Sequence, residues 1–198
     1  TGKFQEDAIL KVLDFVGKDS ARGTVFLDIG ANIGTHSIFA LNNGFSRAVC
    51  VEPEPNNFML LRINQILNGV EDRCINIRAA GSDTDSVVKM ELSGTNYGDH
   101  RILALDTAKG NAFNESSRQT INIQTTTFNG LLERIKVDPR ELGLIWIDTQ
   151  GHEGHVLSCA DVIEKTNTPI VLEFWPYGLQ RSGGYPMLRQ LFQRSSRI

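Results

Sequence analysis

Short apolar runs recur along this chain, separated by stretches whose apolar positions return every three or four residues. Thr24–Ile29, Ala48–Val51, Cys74–Ala79, Leu142–Ile147 and Ile170–Phe174 are too short for helices and are bounded by glycine, proline or an acid. Runs of that kind predict parallel strands buried on both faces. Between them the helical period takes over. It places Ile9, Val12, Leu13 and Val16 on a helix over 3–17, and Ile38 and Leu41 on one over 35–43 that ends at Asn43-Gly44. A helix opened by Pro55 and Asn56 carries Met59, Ile63, Ile66 and Leu67 and closes at Asn68-Gly69. A short helix covers 131–135, and one over 153–165 turns Val156, Leu157, Ala160 and Ile163 inward. Met187, Leu188, Leu191 and Phe192 mark a last helix. Strands alternating with helices predict an α/β fold, a Rossmann-like doubly wound and mostly parallel sheet.

The regularity breaks once. Val87–Leu92 and Thr120–Thr126 read as strands, and the intervening 93–119 is rich in Gly, Asn, Ser and Thr, with one weak apolar run at Ile102–Leu105. A polar excursion of that length is a functional loop or a mobile one. With no repeat or linker, residues 1–198 are expected to form a single domain bearing this insertion. The chain begins at Thr1 and stops soon after a helical pattern, as a fragment truncated at its C-terminus would.

Composition narrows the partners. The 198 residues are 40% hydrophobic and 22% charged, with a net charge of −3. Nothing there drives the chain toward nucleic acid or anionic lipid. No apolar segment nears the ~18–20 residues of a membrane span, and no signal-peptide pattern opens the chain. Cys50, Cys74 and Cys159 are isolated, with no C-x-x-C pair, so they are expected to be buried thiols in a reducing, cytoplasmic setting. His152 and His155 are three apart, whereas a zinc-binding helix needs histidines four apart, so no metal site is expected.

The candidate chemistry gathers at the first strand. Asp28 interrupts its apolar run, where a buried charge needs a partner. The turn that follows, Gly30-Ala31-Asn32-Ile33-Gly34, leads into the helix at Thr35. A dinucleotide fold wants G-x-G-x-x-G there. Asn32 holds the second glycine's place, Gly34 comes one residue early, and no Gly-Lys-Ser/Thr offers a P-loop. Three strands instead end in acids, Asp28, Glu52 and Asp148. Carboxylates at the ligand-binding ends of a parallel sheet suit a cation better than a phosphate. Glu52 stands 24 residues after Asp28, close to the usual offset of a ribose-binding acid, and a carboxylate can accept from both hydroxyls of a diol.

The hydrophobic-hydrophobic-Asp-x-Gly-x-(Gly/Asn)-x-Gly pattern resembles motif I of class I S-adenosylmethionine-dependent methyltransferases. Phe26–Gly34, Val51-Glu52-Pro53, Ala79–Asp83, Thr125–Leu132 and Leu144–Glu153 fall in family order and together resemble the FkbM family of those enzymes. The resemblance implies a class I methyltransferase fold, S-adenosyl-L-methionine as methyl donor and S-adenosyl-L-homocysteine as product. It implies that Asp28, Gly30, Asn32 and Gly34 cradle the methionine moiety, with Thr35 and His36 at the helix start. Glu52 would hold the ribose, Ser82 and Asp83 would flank the adenine, and Asp148 would sit beneath the sulfonium. FkbM-like proteins are associated with O-methylation of secondary metabolites and sugars, so the expected acceptor is a hydroxyl on a small molecule or saccharide. The family usually has an acid where this chain has Gln150.

For catalysis, His152 beside Asp148 is the expected acceptor of the substrate proton, because histidine titrates near neutral pH. Asn96 and His100 on the excursion, Gln150, and Trp175 after the last strand are candidate substrate contacts. A nucleic-acid substrate is not expected, since no basic stripe is present and no N/D-P-P-Y/F segment stands at Ile147–Gln150. A domain that binds S-adenosylmethionine or a nucleotide as a sensor, without chemistry, is the alternative left by Gln150.

Overall fold

A computed structural model describes residues 9–12, 25–104, 111–160, 166 and 168–194. Its centre is a five-stranded parallel sheet in the order β3-β2-β1-β8-β9, made of Val25–Ile29 (β1), Arg47–Val51 (β2), Cys74–Ile77 (β3), Leu142–Ile147 (β8) and Ile170–Leu172 (β9). The order reverses beside β1, which pairs with β2 on one side and β8 on the other. Ligands of such sheets bind at the C-terminal strand ends next to that reversal.

The two-residue period of β1 divides the core. Val25, Leu27 and Ile29 enter the layer that holds helices α3 (Phe128–Ile135) and α4 (Glu153–Ser158). Phe26 enters the opposite layer, with α1 (Thr35–Asn42) and α2 (Pro55–Leu67). Asp28 shares the Phe26 side. Each fully buried side chain of this size contributes about 1.5–3 kcal/mol, so both layers fix the register of β1 and with it the turn at its end.

A second sheet, in the order β4-β7-β5-β6, covers the region after β3. Ala80–Ser82 (β4) runs parallel to Gln119–Thr127 (β7), which pairs antiparallel with Val87–Leu92 (β5). Arg101–Ile102 (β6) adds antiparallel to β5. The excursion therefore contributes a strand of its own and a 3-10 turn at Glu115–Ser117.

Several expectations need correction. The apolar row of α2 does not face the core: Met59, Ile63, Ile66 and Leu67 are 54%, 42%, 53% and 77% exposed. Asn57, Leu61 and Gln65, spaced one helical turn apart, form the buried stripe instead. Gln65 and Asn76 exchange amide hydrogen bonds of 3.0 and 2.7 Å, so polar complementarity overrides the apolar row and docks this helix on β3. The third strand stops at Ile77, and Ala80–Ser82 leaves for the other sheet. The last strand is only half-buried, because it lies at the sheet edge, and Phe174 beyond it is exposed. A helix α5 at Pro176–Ser182, with proline in its first turn, precedes the expected final helix, α6 (Tyr185–Arg194). Cys50 is buried, but Cys74 and Cys159 are half-buried. The expected helix over 3–17 lies outside the described residues except at 9–12, which are helical. Residues 161–165 of the expected helix over 153–165 also lie outside them. Among the described residues, no helix is long and apolar enough to cross a membrane.

Candidate active site

The turn after β1 is built by close backbone approach. Gly30 has a φ of +90°, and a Cβ there would stand 1.9 Å from the Asp148 carbonyl oxygen. Gly30 N and Ala31 N both donate to Val51 O, at 2.9 and 3.0 Å, and Asp148 N donates to Ile29 O at 2.9 Å. The ends of β1, β2 and β8 are thus stitched together by main-chain hydrogen bonds.

A cavity of about 680 Å³ opens at those ends, within the size range of small-molecule sites. Gly30, Asn32, Thr35, His36, Glu52 and Asp148 line it, as do Asn96, His100, Gln150 and His152. No lysine or arginine among the described residues does. Glu52 is buried and accepts from Asn32 N at 2.9 Å and Glu54 N at 2.8 Å, one bond to each carboxylate oxygen. Each oxygen keeps acceptor capacity for another donor. Burial pushes this carboxyl up to about 7, although the two amides pull it down; the Glu54 and Asp28 carboxylates add to the rise.

Other expected residues stand elsewhere. Asp28 is fully buried beneath the turn, on the α1 side, and does not line the cavity. Ser37 Oγ donates to its Oδ2, while Oδ1 has no partner among the described residues. Burial raises its pKa, against the lowering effect of His36. Gly34 packs toward Leu61, where a Cβ would meet the side chain at 2.6 Å, so its role is to admit α2. Ser82 and Asp83 also lie off the cavity wall, which is formed at that point by Ala80 and Gly81. They face α4 instead. Ser82 Oγ and His152 Nε2 share a hydrogen bond of 3.0 Å, and Asp83 Oδ2 pairs with His155 Nδ1 at 2.9 Å.

That arrangement corrects the expectation for His152. Its ring is buried and stacked on His155 at 4.2 Å, and burial, reinforced by His155, drives its pKa down to about 3. A group that weakly basic is a poor proton acceptor at neutral pH.

The β8 loop is wrapped around Glu153, whose function the sequence left unread. Its Oε1 accepts from Thr149 N, Thr149 Oγ1 and Gly151 N at 2.9, 3.1 and 3.2 Å. With Gln150 and Gly151 at φ of 54° and 99°, this bend turns the Gln150 side chain across the strand ends. Gln150 Nε2 donates to Asp148 Oδ1 at 2.7 Å and to Glu173 Oε2 at 2.9 Å. Glu173, just past β9, also escaped the sequence reading, because an acid after an apolar run has no spacing that marks it.

Gln150, Asn96 and His100 line a second cleft as well, which adjoins the first and measures about 1060 Å³. Trp175 lines this cleft and not the cavity. The Arg101 guanidinium covers the Trp175 ring at 4.5 Å. Arg101 is matched by Asp99 and Glu115, and Arg118 by Asp99. His100 Nδ1 accepts from Ser93 N at 3.0 Å, and burial lowers its pKa.

A family model for the methyltransferase FkbM domain matches residues 28–194, from the acid in β1 to the end of α6. The chain belongs to the FkbM methyltransferase family. Methyltransferase FkbM from Methylobacillus flagellatus KT, solved by crystallography at 2.20 Å, shares the fold with a TM-score of 0.53. The two are 16% identical over 86% of this chain and 36% of that one, so this chain spans about a third of that protein's length. No curated protein matches it. The β1 turn and the β8 loop meet across the sheet reversal, and the acids expected at Glu52 and Asp148 both line the cavity.

Proposed function

We propose that this domain transfers a methyl group from S-adenosylmethionine to a hydroxyl of an uncharged small molecule or saccharide. The observation that carries this reading is the pairing of two adjoining spaces of different chemistry. The cavity is walled by Glu52 and Asp148 without a described lysine or arginine, which favours a sulfonium-bearing nucleoside over a phosphate. S-adenosylmethionine supplies an activated methyl group when bound. Glu52 would accept the ribose hydroxyls on its remaining lone pairs, Asn32 would fix the turn beside it, and Asp148 would favour the positive charge.

The acceptor side is polar but electrostatically spent. Its arginines already have carboxylate partners, so a phosphorylated acceptor would find no unmatched cation among the described lining residues. Amides at Asn96 and Gln150 and the Trp175 ring offer the mixed hydrogen bonding and apolar surface that a sugar ring fits. Holding donor and acceptor in adjoining spaces makes the displacement effectively unimolecular.

Calorimetry with S-adenosylmethionine and with NAD, followed by a search for S-adenosylhomocysteine formation over a panel of neutral glycosides, tests the proposal. Binding of the first ligand with product formation is expected. Binding of NAD in its place would overturn it. Tight binding with no product across the panel would favour the sensor reading.

A further inference from the structure

Gln150 is the only side chain described as bonding to a carboxylate in each of the two spaces, and the pair it joins is asymmetric. Asp148 belongs to the cavity and Glu173 to the cleft. Both hydrogens of one amide nitrogen are used, at 2.7 and 2.9 Å. Glu173 is therefore held through Oε2 by Gln150 and lies against the Asp148 carboxyl, at the point where the acceptor's side of the site meets the donor's. Its main-chain nitrogen is fixed too, donating to Ile147 O at 3.0 Å.

We propose that Glu173 is the proton acceptor of methyl transfer, with Gln150 as its positioning residue. This rests on the methyl-transfer reading above. The acceptor oxygen forms its bond to the methyl carbon as the carbon–sulfur bond breaks. The bonding pair stays on sulfur, leaving S-adenosylhomocysteine, and the hydroxyl proton passes to the Glu173 carboxylate. No further reagent is required.

The surroundings suit the task. Burial, then the Asp148 carboxylate and the Glu153 carboxylate, push Glu173 up to about 8, with Asp99 adding to the rise. Across the cleft the ionisable groups are Glu54, Asp99, His100, Arg101 and Arg118. An acid poised near the working pH is the efficient kind of general base, and two carboxylates sharing one donor do not ionise together easily. The ionised form is the active one, so the rate should rise with pH up to about 8.

The Glu173 carboxyl can be followed by carbon-13 resonance of labelled glutamate, assigned by difference against Glu173→Gln, in the free protein and with S-adenosylhomocysteine. It should titrate near 8 and move downward in Asp148→Asn. Titration in the ordinary carboxylate range, unmoved by Asp148→Asn, overturns the proposal. With S-adenosylmethionine and neutral glycosides, Glu173→Gln should lower turnover roughly 100-fold or more and abolish the rising pH limb. Wild-type turnover in that variant would also overturn it. Calorimetric binding of S-adenosylmethionine to both proteins keeps the two ideas apart. Failure of the wild type to bind defeats the methyl-transfer reading, whereas binding with an unperturbed Glu173 defeats only the present one.

Discussion

The two walls of the site are held in place by different means. On the donor side, the ends of β1, β2 and β8 are joined by main-chain hydrogen bonds and by a glycine that lets one peptide lie against another. On the acceptor side, the second sheet and the excursion are held by buried ion pairs. Arg181 clasps Glu91 at 2.7 and 2.9 Å, Arg101 bridges Asp99 and Glu115, and Tyr177 donates to Glu115 at 2.7 Å. Main-chain stitching tolerates little change in geometry and is indifferent to most side chains. Ion-pair bracing is the reverse: strong only while every partner is present, yet free to be redrawn for another acceptor.

The largest effect should come from breaking the stitching. Gly30→Ala places a Cβ on the Asp148 carbonyl at a φ of +90°, and loss of folded protein in expression and thermal melts is expected. Gly94→Ala, in the excursion, meets nothing within 4 Å and should stay within ~0.5 kcal/mol of wild type. If both are tolerated, the contrast between the walls fails. Next comes Arg181→Leu, which strands the buried Glu91 carboxylate. Urea unfolding should show a loss of about 3–5 kcal/mol, largely restored by adding Glu91→Leu.

A smaller effect belongs to Glu52. Replacing it by glutamine removes charge-assisted acceptors worth about 1.5–3 kcal/mol, so S-adenosylmethionine should bind roughly 10–100-fold more weakly by calorimetry. In the proposed role, the ionised form would accept the ribose hydroxyls. With a carboxyl raised to about 7, affinity should fall on acidification, by roughly tenfold between pH 8 and pH 6. The sign for stability is opposite. A raised carboxyl favours the ligand-free fold at low pH, and that advantage is lost as pH rises from the usual glutamate range through about 7. Parallel pH trends in affinity and ligand-free stability would rule out this role. Smallest of all is Leu67→Ser on the exposed row of α2, which should change stability by less than ~0.5 kcal/mol.

The same division explains what could be read from the sequence. Along β1 the apolar run, the glycines and the acid are neighbours in the chain, so spacing alone located the turn and the parallel sheet. Glu52 was legible because a fixed offset along a βαβ unit sets where its strand ends. The excursion looked polar and loose, since Asp99, Arg101, Glu115 and Arg118 are partners only after folding, and composition records charges without recording whom they meet. Met59, Ile63 and Ile66 misled for the same reason. Their period is helical, but the amide pair of buried Gln65 and half-buried Asn76 decides which face turns inward. Asp28 was located near the end of its strand, and Ser82 and Asp83 were expected from the resemblance alone, yet none of the three lines the cavity, because spacing fixes where a strand stops and not which way its last side chains point.

The contact between Gly30 and the Asp148 carbonyl acts as a gauge block. Two peptide groups pressed together fix the separation of the turn and the β8 loop to the thickness of an atom, with no side chain between them to wear, swap or rearrange. Sequence drift around the site can widen the cleft, recharge it or exchange its aromatic floor without moving the point from which every acceptor must be measured.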